Sequence, residues 1–356
     1  MRIIRTILTI FLLVIITISA IFLVGFLNFK KGALYSKNKI ISNAGAASDA
    51  LKNLETKQAR YSLQIVQKEI DLWLNKAGIF TRFIPQLKSI PQTIEKYSDL
   101  MASSIILTEK IDFLKNNGVQ LVLQQKGGEL ISTLKDLQTE INKIADVAVN
   151  DRVYVAKAFL SATINWLASE EPQHFIVLFQ NSSEIRPGGG FLGSFAQLTL
   201  KNGGLAHLEV NDIYDLDGQL TIKIEPPKAL QSITTNWGAR DANWFLDFPT
   251  SARKVIKFLE ASRIFQDRNL RFSGMIAIND KVVVDLMRVI GPIENLTAEN
   301  FLAEVQKEVE TDASKNVLKE ITPVIFERLN KLSGDRQKKQ LLEIFANRFK
   351  HKDIMV

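Results

Sequence analysis

Asn181–Asp217 reads NSSEIRPGGGFLGSFAQLTLKNGGLAHLEVNDIYDLD and places four of the chain's 18 glycines within six positions. The run upstream, His174–Gln180 (HFIVLFQ), is apolar and follows Pro172, as a strand buried on both faces would. Gly193–Leu200 is a second strand candidate. Lys201-Asn202-Gly203-Gly204 supplies the residues that tolerate positive φ in a tight turn, and Leu205–Val210 then pairs back as a hairpin. Downstream, Asp247 or Thr250 can cap a helix carrying Ala252, Val255, Ile256 and Leu259 on one face. Gly274–Ile278 reads as a strand, Asp280 as the cap of a helix to Ile290, and Gly291-Pro292 as its end. Strand and helix alternating in this way predict an α/β domain, a mixed sheet covered by helices.

That domain is expected to span 171–356. Residues 35–170 before it read as a helical stalk with apolar stripes at Leu51, Leu54, Ile65, Ile70, Leu72 and Leu74. Ile84-Pro85, Ile90-Pro91, Asn116-Asn117-Gly118 and Gly127-Gly128 break it into antiparallel hairpins. The last stalk helix, around Tyr154–Ala168, carries Phe159 and Trp166. The stalk is a helical spacer or a partner-binding element, and names no protein partner. Residues 1–34 contain an uncharged run, Thr6–Phe29, long enough to cross a bilayer as a helix, with no small-x-small cleavage site closing it. The expectation is a single-pass anchor in a bacterial cytoplasmic membrane with the bulk of the chain extracytoplasmic. His351–Val356 (HKDIMV) reads as the start of a strand with no partner after it, so the domain is expected to be truncated at its C-terminus.

The net charge of +7 is spread along the 356 residues without a basic, aromatic-rich patch, which argues against nucleic acid and fits an anionic lipid or envelope polymer. With no cysteine, disulfides and thiol chemistry are excluded. Gly188, Gly190 and Gly193 formally match G-x-G-x-x-G, and Asp212 follows nineteen residues on. The glycines run into a strand and hairpin rather than a helix, so no dinucleotide site is expected. Two readings of the glycines stand. Gly188, Gly189 and Gly190 beside Arg186 can present backbone N–H groups to an anion, or they can simply let the backbone pass close to the sheet. Arg240, Asp241 and Asn243 can face that loop across a cleft. Asp212, Asp215 and Asp217 could hold a divalent cation, Mg or Ca, although Ile213 and Ile224 break the EF-hand pattern; capping and solvated loop carboxylates are the alternative. Ser194 lacks the nucleophile-elbow context, and His174, His207 and His351 form no triad or zinc spacing.

The segments EIRPGGGFLGS (Glu184–Ser194), NDIYDLDGQL (Asn211–Leu220), EPP (Glu225–Pro227) and RDANWFLDFPTSA (Arg240–Ala252) resemble a bacterial family of single-pass membrane proteins whose domain has no assigned function. The order of parts is more distantly similar to the LytR–CpsA–Psr phosphotransferases, which transfer glycopolymers from polyprenyl-pyrophosphate carriers to the cell wall. That likeness extends to GMIAINDKVVVDLMRVIGPIE at Gly274–Glu294. The chain departs from those enzymes at their S-D-T, where it has Leu192, Gly193 and Ser194, and at their P-R-D, where it has Val210, Asn211 and Asp212. Their arginine-rich helix corresponds to Phe301–Lys319, which offers Lys307, Lys315 and Lys319. The resemblances imply a cell-envelope protein binding a polyprenyl-phosphate-linked glycan or cell-wall polymer. The alternatives are a divalent-metal-dependent phosphotransferase, using Asp212 for metal and Arg186 or Arg240 for phosphate, and a non-catalytic scaffold.

Overall fold

A computed structural model describes residues 32–53, 55–81, 89–146, 151–310 and 317–356. The expected anchor, Thr6–Phe29, lies outside the described residues, as do Ile84-Pro85 and Lys315. Among the described residues no helix is long and apolar enough to cross a membrane. The first five helices are α1 (Gly32–Lys52), α2 (Thr56–Thr81), α3 (Ser89–Leu123), α4 (Gly127–Ala145) and α5 (Asp151–Leu167). The chain divides into two compact units. One comprises residues up to Gly118 with Glu129–Trp166; the other comprises Val119–Gly128 with Leu167–Val356.

Among the described residues the first unit is all-helical. α1 and α2 pack with small residues at their contact: Ala44, Ala47 and Ala50 are buried on one and Ala59, Leu63 and Val66 on the other. Glu69, buried on α2, is held by Lys39 at 2.6 Å and Ser36 at 2.9 Å from α1, so this buried carboxylate keeps its partners. Asp112 on α3 likewise pairs with Lys115 at 3.1 Å and takes the Thr56 hydroxyl from the start of α2. One expected break is not a break. Asn116-Asn117-Gly118 lies inside α3, where the Asn117 amide donates to the Phe113 carbonyl one turn back at 2.9 Å and so does not compete with the helix. Ile90-Pro91 stands where a new helix opens, in the first turn of α3, where a missing N–H costs no helical bond.

The second unit is built on β1 (Gln173–Arg186), β2 (Gly189–Lys201) and β3 (Gly204–Asp212), followed by the one-turn α6 (Ile213–Asp217). α7 (Phe248–Ala261), the short α8 (Arg263–Gln266), β4 (Gly274–Asn279) and α9 (Asp280–Ile290) come next. Then follow α10 (Phe301–Glu310), α11 (Val317–Asn330), α12 (Asp335–Lys350) and β5 (Ile354–Met355). The sheet order is β3-β2-β1-β4-β5, with β1 and β4 parallel and the other pairs antiparallel, so the expected mixed sheet with helices is found. The β2–β3 turn sits where expected, with Asn202 at φ 48° and Gly203 at φ 72°. Ile176, Leu178, Leu192 and Phe195 on one sheet face pack with Val255, Phe258 and Leu259 of α7 and Phe265 of α8. Ile276 and Ile278 on the other face pack with the core of α9, α11 and α12.

Two further expectations are corrected. The span from Asn181 to Gly193 is not a loop: β1 runs on to Arg186, and only Pro187-Gly188 separates it from β2, with irregular register at Phe179/Gln180 and Asn181/Ile185. Asn279, not Asp280, caps α9, its side chain accepting from the Lys281 N–H at 2.9 Å. Asp280 instead takes the Ser182 N–H at 3.0 Å and the Ser182 hydroxyl at 2.8 Å, so the irregular part of β1 claims it. The terminal strand pairs with β4, which precedes it in the chain: Ile354 and Met355 lie against Ile278 and Ala277. Arg348 supports it by binding Asp285 of α9 at 2.7 Å and Asp353 at 2.9 Å.

Val119–Gly128 completes this unit. Gln120 donates to the Leu332 carbonyl at 2.9 Å, and Leu123 packs on the α9–α12 core. The turn before α4 meets the β2–β3 turn glycine to glycine. A Cβ at Gly127 would overlap the Asn202 carbonyl and lie 2.6 Å from the Gly204 nitrogen, both backbone atoms that cannot rotate away. Gly127→Ala is therefore expected to cost about 2–4 kcal/mol. Gly118→Ala in α3, where nothing lies within 4 Å, should stabilise by up to about 1 kcal/mol. Thermal unfolding of the two variants side by side checks this; equal effects would contradict the packing.

Candidate functional site

The β1–β2 hairpin tip is fastened from both sides. Gln180, buried on β1, donates to the Gly188 carbonyl at 2.9 Å, and Gly188 N–H donates to the Asn243 carbonyl at 2.8 Å. The Asn243 amide in turn donates to the Gly190 carbonyl at 2.6 Å. Asn243 is 2% exposed and its Oδ1 meets no donor among the described residues. Gly189 sits at φ 120° over the Gln180 amide, which a Cβ would approach to 2.6 Å. The three glycines are thus first a steric requirement, since backbone and amide atoms crowd each of them.

Arg186 leaves the tip toward the turn Ala239–Asp241. Its Nε donates to Asp241 Oδ1 at 3.0 Å, a second nitrogen donates to the Ile185 carbonyl at 3.1 Å, and its guanidinium lies 5.1 Å from the Phe191 ring centroid. Asp241 is buried, and its carbonyl takes the Trp237 indole N–H at 3.1 Å, which anchors the turn in the core. Arg240 stands on the other side of the same carboxylate. Its Nε is 3.6 Å from Asp241 Oδ2, a terminal nitrogen is 3.6 Å from Asp217 Oδ2, and its guanidinium lies 5.2 Å from the Tyr214 ring. The Phe191 and Tyr214 rings are themselves neighbours, with centroids 6.3 Å apart. Two guanidiniums therefore bracket one carboxylate, each over its own ring of an aromatic pair.

The sequence candidates Arg186, Gly188, Gly189, Gly190, Arg240, Asp241 and Asn243 are thus brought together, directly bonded rather than facing across a cleft. The three aspartates go to separate tasks. Asp212 caps α6, accepting the Tyr214 N–H at 2.7 Å. Asp217 accepts the Ala239 N–H at 2.6 Å and reaches the Arg240 N–H at 3.5 Å. Asp215 lies in the first turn of α6, where its backbone carbonyl takes the Gln219 amide. Among the described residues no group of three His, Asp or Glu side chains is placed to hold a metal ion. Burial raises the carboxyl pKa of both Asp212 and Asp217 above the ordinary value. At Asp212 the nearby Asp215 adds to the rise, and at both sites bonds to backbone N–H groups pull the other way.

Sequence reasoning did not single out Phe191 and Tyr214. Both are visible as aromatics beside polar motifs, but their pairing depends on β2 running straight into β3 and α6. In the sequence Gln180 is only the end of an apolar run, with no sign that its amide turns under the glycines.

Residues 170–309 match a family model described as a protein of unknown function (DUF4012), and that span contains every residue of this site. No curated protein and no solved structure matches the chain.

Proposed function

We propose that the chain is a membrane-tethered, extracytoplasmic protein of the cell envelope. Its α/β unit binds an anionic, phosphate-bearing glycan or lipid-linked carrier at the Arg186–Arg240 site. One observation carries the reading: Arg240 holds both its carboxylates at 3.6 Å, beyond hydrogen-bond reach, above an aromatic pair. Its planar donors remain for a phosphate or carboxylate, and guanidinium recognises these in bidentate fashion. The adjacent rings of Tyr214 and Phe191 give a sugar or lipid headgroup a face to lie on. The uncharged run Thr6–Phe29 supports the tether. Because Asp212 and Asp217 are occupied by backbone N–H groups, the arrangement favours binding over phosphoryl transfer.

The test is calorimetric titration of the full chain in mild detergent with polyprenyl phosphate and with inorganic pyrophosphate. Arg240→Gln should weaken binding about 10- to 100-fold, the loss of one or two charge-assisted hydrogen bonds, with thermal stability nearly unchanged. Arg240→Lys should fall between the two. Failure of the wild-type chain to bind either probe, or an unchanged affinity in Arg240→Gln, would overturn the reading.

A further inference from the structure

Among the described residues the three most exposed large apolar side chains are Leu246 at 88%, Ile185 at 87% and Ile233 at 80%. They belong to neighbouring segments of the α/β unit. Ile185 precedes the β1–β2 turn, where Gly188 N–H donates to the Asn243 carbonyl, and Leu246 follows Asn243 by three residues. Leu246 adjoins Phe245, whose ring lies 6.3 Å from that of Trp237, and Ile233 comes four residues before Trp237. Single exposed apolar residues are ordinary, but the three extremes of one chain gathered around one hairpin tip mark an interaction surface.

A cationic helix face runs beside them. Arg253, Lys254 and Lys257 fall within about 100° of the α7 circumference. Lys254 Nζ sits 4.2 Å from the Trp237 ring centroid and 5.2 Å from that of Phe258. Burial, and after it the charge of Lys257, hold the Lys254 pKa below the ordinary lysine value, so two ammonium groups stand together. Neither has a carboxylate partner among the described residues. The acidic groups of this surface are already engaged. Asp247 caps α7 by accepting the Thr250 N–H at 2.9 Å, with Arg253 nearby. Glu225 accepts the Gln231 amide at 2.8 Å, and Glu260 takes Arg271 at 2.8 Å and the Phe272 N–H at 3.1 Å. Exposed Lys223 and Lys228 add to the excess, so Thr221–Leu259 holds six basic residues against three acidic ones.

We propose that this end of the α/β unit docks on an anionic lipid bilayer. Ile185, Ile233 and Leu246 enter the acyl boundary, and Lys254 and Lys257 meet the headgroup phosphates. Aliphatic tips bracketed by unpaired lysines match a boundary that is apolar within and anionic at its surface. A second copy of the chain would instead set the same cations against each other. Trp237 joins this surface to the Arg186–Arg240 site, since its indole N–H binds the carbonyl of Asp241, the carboxylate between the two arginines. Docking therefore brings that site to the headgroup layer. The inference goes beyond the ligand reading and does not depend on it.

The chain has no cysteine, which allows one labelled position at a time. The full chain is held in nanodiscs of phosphatidylcholine with an environment-sensitive dye at Leu246→Cys. It is titrated with vesicles of equal parts phosphatidylglycerol and phosphatidylcholine. The dye emission should move to the blue and be quenched by spin-labelled lipid in the vesicles. The same dye at Lys201→Cys, exposed at the opposite end of β2, should do neither. Each basic side chain near an anionic surface contributes about fivefold, so Lys254→Gln with Lys257→Gln should weaken the titration about 25-fold, with circular dichroism confirming an intact fold. A Leu246 dye that stays in water would overturn the inference. So would an equal response to pure phosphatidylcholine vesicles or an unchanged titration in the double variant. Covalent dimer on oxidation of Leu246→Cys, without a spectral shift, would overturn it in favour of a second copy. The vesicles hold no polyprenyl phosphate and no glycan, so failure here leaves the calorimetric test of the ligand site untouched.

Discussion

Gly190→Ala should lower the unfolding midpoint of the α/β unit by about 5–10 °C, corresponding to roughly 3 kcal/mol. The added methyl would overlap the Asn181 carbonyl and come within 2.9 Å of the Ser182 nitrogen, both backbone atoms of the facing strand. Relief requires β1 and β2 to part where they are already irregular in register, between Asn181 and Ile185. That movement would also release the Gly190 carbonyl from the Asn243 amide and uncouple Arg186 from Asp241. Gly193→Ala is the control. Nothing lies within 4 Å of a Cβ there, and its φ is not positive, so its stability should stay within about 0.5 kcal/mol of wild type. Differential scanning calorimetry of the two variants decides the matter. A mild Gly190→Ala would mean that the hairpin tip is not tightly closed.

Asp217→Ala should cost about 2–4 kcal/mol, since it strands the Ala239 N–H in a buried position and removes one of the two carboxylates beside Arg240. Asp217→Asn keeps an acceptor for Ala239 and should cost about half as much. The two side chains differ in their response to pH. Burial raises the Asp217 carboxyl above its ordinary 3.8, outweighing the Ala239 N–H and an Arg240 contact that is long for an ion pair. The folded state therefore holds the proton more tightly than the unfolded chain does. The resulting stabilisation is complete below pH 3.8 and is lost as pH rises through the folded pKa. The advantage of wild type over Asp217→Asn should thus shrink as pH rises from 3.8 toward neutrality, measured by urea unfolding at each pH. An advantage that grows over this window would show that Arg240, not burial, dominates the carboxylate.

What the sequence disclosed follows from how local each feature is. The β2–β3 turn was legible because two consecutive left-handed residues demand a pair such as Asn202-Gly203. Asp247 was legible as a cap because its bond reaches only three residues, to the Thr250 N–H. Gly190 and Gly193 could not be told apart, since the crowding at one comes from the opposite strand. Asp280 misled for a related reason: it and Asn279 are both good caps, and Ser182, 98 positions away, decides between them. The candidate site was legible as two polar segments, Arg186–Gly190 and Arg240–Asn243. That they bond each other directly, over Phe191 and Tyr214, depends on the sheet register and could not be read in either segment.

The turn at Gly127 bears on how the α/β unit can be handled and inherited. A fragment starting at Leu167 would lack Gln120 and Leu123, leaving the Leu332 carbonyl without its donor and the α9–α12 core open on one side. The family match covers 170–309, so it omits this turn as well as α11, α12 and β5. The unit is discontinuous along the chain: one piece is synthesised early and waits while the α4–α5 helices emerge before the sheet can close around it. By its contacts the unit comprises 119–128 together with 167–356, and recognition by family resemblance alone would cut through it.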